Sequence, residues 1–194
     1  MGFGLKIHFD RRVTEKRDNS ILFNLDKTLN DEKTILDVGC GNGRLSKKIE
    51  KRFRVKVRGA DIALPKKPAI SVTLFDGKTL PFPENSFDAV FLIDVLHHTK
   101  NPNKLFYESL RVAKKSVFVK DHYYENNFQK AALMLADFIG NFQDKVSTPF
   151  CFLTKNEWGK MLKSHKYDSL AWHSLIVPGI QIPQIIFRVS KEQS

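Results

Sequence analysis

Residues 34–43 read Thr-Ile-Leu-Asp-Val-Gly-Cys-Gly-Asn-Gly. A short apolar strand ends in an acid, three glycines alternate, and a basic amphipathic stretch begins at Arg44. Glycine permits a tight turn and lets a ligand approach the backbone with no Cβ in the way. The helix that follows opens with free N–H groups, which favour polar or anionic atoms. The pattern points to a nucleotide-like small molecule held by a strand–loop–helix unit.

The spacing narrows the ligand. In the dinucleotide fingerprint G-x-G-x-x-G, Gly39 and Gly41 would fill the first two places. The third glycine, Gly43, comes one residue early, and Arg44 stands where the fingerprint wants glycine. Further acids and histidines follow at later strand ends. Asp61 closes the second strand, 22 residues after Gly39. An acid there can accept both ribose hydroxyls; its other reading is a strand-end cap. Phe75-Asp76-Gly77 follows the third strand, where Asp-Gly is also a common turn pair. Ile93-Asp-Val-Leu-His-His98 closes the fourth strand and Val119-Lys-Asp-His-Tyr-Tyr124 the fifth.

Residues 35–43 closely resemble the first motif of the class I S-adenosylmethionine-dependent methyltransferases, and the later strand ends carry the likeness to Asp121. Leu80-Pro-Phe before Phe87-Asp88 is similar to the small-molecule, type-11-like branch. Asp94-Val-Leu-His-His-Thr99, Lys120-Asp-His122 and Asp137-Phe-Ile-Gly-Asn141 resemble a subgroup of unassigned substrate, which usually has Trp where this chain has Phe138. The resemblance implies S-adenosyl-L-methionine as cofactor and S-adenosyl-L-homocysteine as product. It places Asp37 and the loop residues Gly39, Cys40, Gly41, Asn42 and Gly43 at the cofactor's amino-acid end. It places Asp61 and Ile62 at the ribose, Asp76 and Gly77 at the adenine, and Asp94 under the methionine end.

A neutral imidazole near the acceptor can take its proton, so His98 and His122 are the candidate bases. Packing or cofactor support is the other reading of His98. For His122, with Asp121 as its candidate orienting group, it is a polar strand terminus capping the next helix. His97 and His98 are adjacent and are not expected to face one ligand from a regular element. No H-E-x-x-H spacing exists and no metal site is expected. The implied acceptor is a small or lipid-like molecule methylated on oxygen or nitrogen.

Relatives with other acceptors fit less well. No Asn-Pro-Pro-aromatic motif follows the fourth strand, which argues against exocyclic nucleobase or glutamine nitrogens. Asp94 and Lys120 could supply the middle of the ribose 2′-O set, but no Glu lies near the start of the final strand. Two alternatives stay open: an RNA methyltransferase using the basic 44–58 stretch, and a non-catalytic regulator that binds the cofactor. A dehydrogenase is the least expected reading, since no stretch of these residues remains to be assigned to a catalytic second domain.

At 194 residues with 42% hydrophobic content the chain reads as one domain able to bury a sizeable core. Expected strands are 34–38, 55–61, 72–75, 88–93, 116–120, 169–175 and 185–189; expected helices are 43–51, 102–113, 126–141 and 155–165. Alternation of this kind argues for a parallel sheet with right-handed crossovers. The short Val177-Pro-Gly-Ile180 link favours a closing antiparallel hairpin. The expectation is therefore an α/β, single-domain, doubly wound, mostly parallel seven-stranded sheet. Residues 1–33 should form an N-terminal helical cap over the sheet edge or the cofactor site, and 34–194 the cofactor-binding domain.

The net charge is +11, of which residues 44–58 carry +7 with eight basic residues and Glu50. In a doubly wound fold the helix after the glycine loop runs away from the ligand edge, which makes this stretch a solvated face rather than a site. Nucleic acid is thus an alternative partner, not the favoured one. Cys40 and Cys151 suggest neither a disulfide framework nor a Cys-x-x-Cys metal site, and a reduced, cytoplasmic protein is the expectation. Residues 1–6 lack an apolar signal core and carry Lys6 where a myristoylation motif wants Ser or Thr. No run is long enough to span a membrane. Oligomeric state is left open.

Overall fold

The computed structural model describes residues 11–141, 151–163, 165–177 and 180–191. The N-terminal ten residues, the Pro178-Gly179 connection and the side chains of Phe138, Ile139, Phe150 and Trp172 lie outside the described part.

Helix α1 (Arg11–Asp26) precedes strand β1 (Thr34–Val38). Helix α2 (Arg44–Phe53), β2 (Lys56–Asp61), β3 (Val72–Leu74) and β4 (Phe87–Ile93) follow. A 3-10 turn (Leu96–His98) leads to α3 (Pro102–Val112), β5 (Ala113–Tyr124) and α4 (Asn127–Asn141). The chain ends with β6 (Leu153–Thr154), α5 (Lys155–Leu162), β7 (Tyr167–Val177) and β8 (Ile180–Ser190). The sheet runs β3-β2-β1-β4-β5-β8-β7, with β6 pairing the end of β5. β1 to β5 are mutually parallel, and β8 is antiparallel to both β5 and β7.

This is the expected architecture with one addition. The seven expected strands all form, and β6 is an eighth of two residues. The link between β2 and β3 runs as bends without a helix, as its length requires. Pro102 sits in the first turn of α3, where its missing N–H costs nothing, and Asn101 caps that helix by accepting from the Lys104 N–H.

Alternating strand residues separate two cores. Leu36, Val38, Val90, Leu92, Val117 and Val119 face α3 and α5, where Phe106 and Trp158 are buried. Ile35, Phe91, Ile93 and Phe118 face α1 and α2. Ile21, Leu22 and Leu25 bury α1 in this second core, so the N-terminal helix packs on the sheet as an integral layer. The strand order reverses between β1 and β4, and ligands of such sheets bind at the carboxyl edge of that switch point.

Candidate active site

The glycine loop lies at that edge. Gly39 has φ +73° and donates its N–H to the Ala60 carbonyl at 2.7 Å. A Cβ on Gly39 would stand 2.3 Å from Val95 Cγ2. Gly41 has φ +54°, and a Cβ there would meet nothing within 4 Å. Gly43 forms the N-cap of α2. Asn42 accepts from the Arg44 N–H at 3.1 Å. Burial, with Asp37 and Asp61 nearby, pushes the Cys40 thiol up to about 12. A thiol held so high has little thiolate at neutral pH.

The strand-end acids hold this loop. Asp37 is buried and accepts from Ser46 Oγ at 2.5 Å, which ties β1 to the first turn of α2. Burial raises its carboxyl to about 6, against the Ser46 hydrogen bond and the Arg17 charge. Asp61 Oδ2 accepts the Gly41 N–H at 2.8 Å, and Oδ1 the Ala63 N–H at 3.2 Å. Asp76 accepts from the Lys78 and Thr79 N–H groups at 2.8 and 2.7 Å, and those bonds hold its carboxyl below the usual range. A Cβ on Gly77 would lie 3.3 Å from Ile62 Cγ2, so Ile62 and Gly77 meet on one rim, where Ile62 is exposed. Sequence reading placed all of these at one edge, and the structure brings them there.

Asp94 follows β4 in a left-handed conformation, φ +53°. Its carboxylate meets Lys120 Nζ at 2.5 Å, Arg17 at 2.7 and 2.8 Å, and His122 Nε2 at 3.4 Å. Burial raises the Asp94 carboxyl, but Lys120 and then Arg17 overcome this and hold it well below its ordinary value.

The histidines are arranged differently from the expectation. The 3-10 turn directs both His97 Nε2 and His98 Nε2 at Asp137 Oδ1, at 3.7 and 3.5 Å. Adjacent residues therefore do face one group, because this turn is not a regular strand or helix. Asp121 Oδ1 takes His97 Nδ1 at 2.5 Å, and Oδ2 accepts the Leu96 N–H at 3.0 Å. The Asp121 carboxylate thus orients His97; it reaches His122 only through the latter's backbone N–H, at 2.7 Å.

Burial opposes charge on His97, but the Asp121 charge and hydrogen bond, with Asp137 nearby, push it up to about 10. Burial, then the Lys120 charge, pushes His122 down to about 3. Burial and the His97 charge also lower His98. Phe152 stacks on His97, with centroids 4.8 Å apart and planes 14° off parallel.

Relatives fit this geometry. The type-11 methyltransferase-domain family matches residues 36–119. An uncharacterised protein of Methanocaldococcus jannaschii is 31% identical over 80 residues, 41% of this chain and 39% of that protein. The ubiquinone/menaquinone biosynthesis C-methyltransferase of Rickettsia massiliae is 25% identical over 175 residues, 73% of this chain and 71% of the enzyme. Magnesium protoporphyrin IX methyltransferase from Synechocystis, solved with bound S-adenosylhomocysteine, superposes with TM-score 0.62 at 16% identity, covering 94% of this chain and 85% of that one. Residues 36–119 of this chain form a type-11 methyltransferase domain, on the class I S-adenosylmethionine-dependent methyltransferase fold.

The methyltransferase's own residues fit that cofactor. The loop is open to a ligand at Gly41, where no atom occupies the space a side chain would take. The Asp61 carboxylate stands beside it, bonded to the Gly41 N–H. Among the described residues no helix is long and apolar enough to cross a membrane.

Gly41 offers a clean test. Gly41→Ala meets no neighbour, so its stability cost is the left-handed backbone alone, about 1–2 kcal/mol. Its new methyl group points into the open side of the loop, and we expect S-adenosylmethionine affinity to fall roughly tenfold or more, a loss of about 1.4 kcal/mol. Thermal melts and calorimetric titration of the same sample check both. Unchanged affinity would place the cofactor elsewhere.

Proposed function

We propose that this methyltransferase moves a methyl group onto an oxygen or nitrogen of a small or lipid-like acceptor. Asp37 and residues 39–43 hold the cofactor's amino-acid end in this reading. Asp61 and Ile62 take the ribose, Asp76 and Gly77 the adenine, and Asp94 lies beneath the methionine end. Bound there, S-adenosylmethionine supplies a methyl group already activated on a sulfonium. The chain's task is to align the acceptor and exclude water.

The observation that carries the acceptor class is the cluster beside Asp94. Leu133 and Phe152 are buried with Tyr124 against them, Phe152 stacks on His97, the His97 ring neighbours those of His98 and His122, and His122 Nε2 lies 3.4 Å from Asp94. A mostly apolar wall with a few convergent polar atoms suits a small organic ligand. His98 Nδ1 and His122 Nδ1 are buried with no protein hydrogen-bond partner; burial keeps both rings neutral, the form a proton acceptor needs, and makes His122 the weaker base.

The basic 44–58 stretch supports an RNA acceptor poorly. Arg44 and Lys48 pair with Asp18, Arg52 with Asp26, and Lys47 with Glu50. Cations already paired have less charge to offer a phosphate backbone.

S-adenosylhomocysteine release across a panel of aromatic and long-chain alcohols and amines, with RNA as comparison, tests the reading. Turnover is expected with the organic acceptors. Turnover on RNA alone, steeply salt-dependent and lost when Lys47, Lys48, Lys51 and Arg52 become Ala, would overturn it. Cofactor binding with no turnover on any acceptor would instead favour a regulator. In the active case His122→Gln should lower kcat by about 10²-fold while leaving cofactor affinity alone. A full-rate variant removes His122 as the base.

A further inference from the structure

His97, His98 and Asp137 bring three ligand-type side chains together, with one donor atom from each lying within 4.8 Å of the others. The Asp137 oxygen stands 3.7 Å from His97 Nε2 and 3.5 Å from His98 Nε2. These separations are long for hydrogen bonds, which run to about 3.2 Å for nitrogen and oxygen. They are close to what a shared ion requires, since tetrahedral arms of about 2.1 Å put donor atoms roughly 3.4 Å apart.

The groups behind His97 are those of a metal ligand. Asp121 is fully buried and holds His97 Nδ1 at 2.5 Å, which leaves Nε2 as the outward atom. A metal-bound histidine is ordinarily fixed by such a carboxylate on its other nitrogen. Phe152 stacks on the ring and limits its rotation. Asp121 also accepts the Leu96 N–H, so the carboxylate that aims His97 fixes the turn that aims His98.

We propose that His97 Nε2, His98 Nε2 and Asp137 form a site for a divalent transition metal, Zn2+ above all, whose open position takes the acceptor's heteroatom. Two imidazoles and a carboxylate suit Zn2+, and three protein ligands with a fourth position free is the pattern of catalytic zinc. The acceptor role rests on the methyltransferase reading above; the metal site does not. A hydroxyl or amine bound to the ion holds its proton less tightly. His98 then serves as a ligand rather than as a proton acceptor.

The test uses the full chain, untagged and stripped with chelator, titrated with Zn2+ alone by calorimetry and with Co2+ by visible absorption. One equivalent of Zn2+ is expected, with nitrogen and oxygen ligation in the cobalt spectrum. His98→Ala, at a partly exposed position, should keep the fold and S-adenosylmethionine affinity and weaken Zn2+ binding by 100-fold or more. Asp121→Asn should weaken it by about 10- to 100-fold, as loss of a supporting carboxylate does.

Absence of saturable Zn2+ binding overturns the inference, as does equal affinity in His98→Ala. A thiolate charge-transfer band would assign the metal to a cysteine and overturn it too. S-adenosylmethionine titrated into the same samples separates the two readings. Cofactor bound without Zn2+ ends the metal inference alone, and Zn2+ bound without cofactor ends the cofactor reading alone.

Discussion

Asp61→Ala should bind S-adenosylmethionine about 10- to 150-fold more weakly than the native chain, a loss of about 1.5–3 kcal/mol for a bidentate, charge-assisted contact. Two effects add. One Asp61 oxygen holds the glycine loop through the Gly41 N–H at 2.8 Å, so truncation frees the bend. In the proposed reading the carboxylate's remaining lone pairs accept from the ribose hydroxyls. Asp61→Asn separates the two, because its amide oxygen can still take the Gly41 N–H while the second acceptor is gone. We expect Asn to fall between Ala and the native residue. Calorimetry on folded protein measures it, and unchanged affinity in Asp61→Ala removes the assignment.

What was legible in the chain was local. Glycines at alternate positions and acids at strand ends are set by backbone geometry, and each can be read within a few residues. The parallel sheet and its antiparallel end followed from alternation and link length. β6 was missed because two residues are too few to show a period of two. The pairing of charges was also hidden. Arg17 reaches Asp94 across 77 positions, and Asp18 draws Arg44 and Lys48 across 26 and 30.

Net charge along the sequence does not say where an acid will pack. The adjacent histidines misled for a related reason. A strand or helix would splay them apart, but the 3-10 turn at Leu96–His98, bonded to Asp121, does not. Asp137 stood out only as part of the Asp137-Phe-Ile-Gly-Asn141 resemblance, with no sign of which histidines it would meet.

Asp94→Asn should cost about 3 kcal/mol or more of folding stability at neutral pH, because removing one partner of a buried pair leaves the other charge uncompensated. Lys120 is 2% exposed and bonded to Asp94 at 2.5 Å, so it is the group left stranded. The reverse change should cost less. In Lys120→Met the Asp94 carboxylate keeps Arg17 at 2.7 Å and remains partly solvated. Asn suits the test because it tolerates the left-handed backbone that Ala would strain.

The pH dependence follows from the depressed carboxyl. Asp94 lies well below 3.8 in the folded chain, so its contribution is complete above that value and is lost only as pH falls through the lower, folded pKa. Urea unfolding should show a constant gap between native and Asp94→Asn protein from pH 8 to about 5, closing under stronger acid. A gap near zero at neutral pH would mean that the Arg17–Asp94–Lys120 chain does not hold the N-terminal helix and β5 together. Asp94 would then owe its place at the end of β4 to the ligand it faces, and cofactor affinity alone should change in the variant.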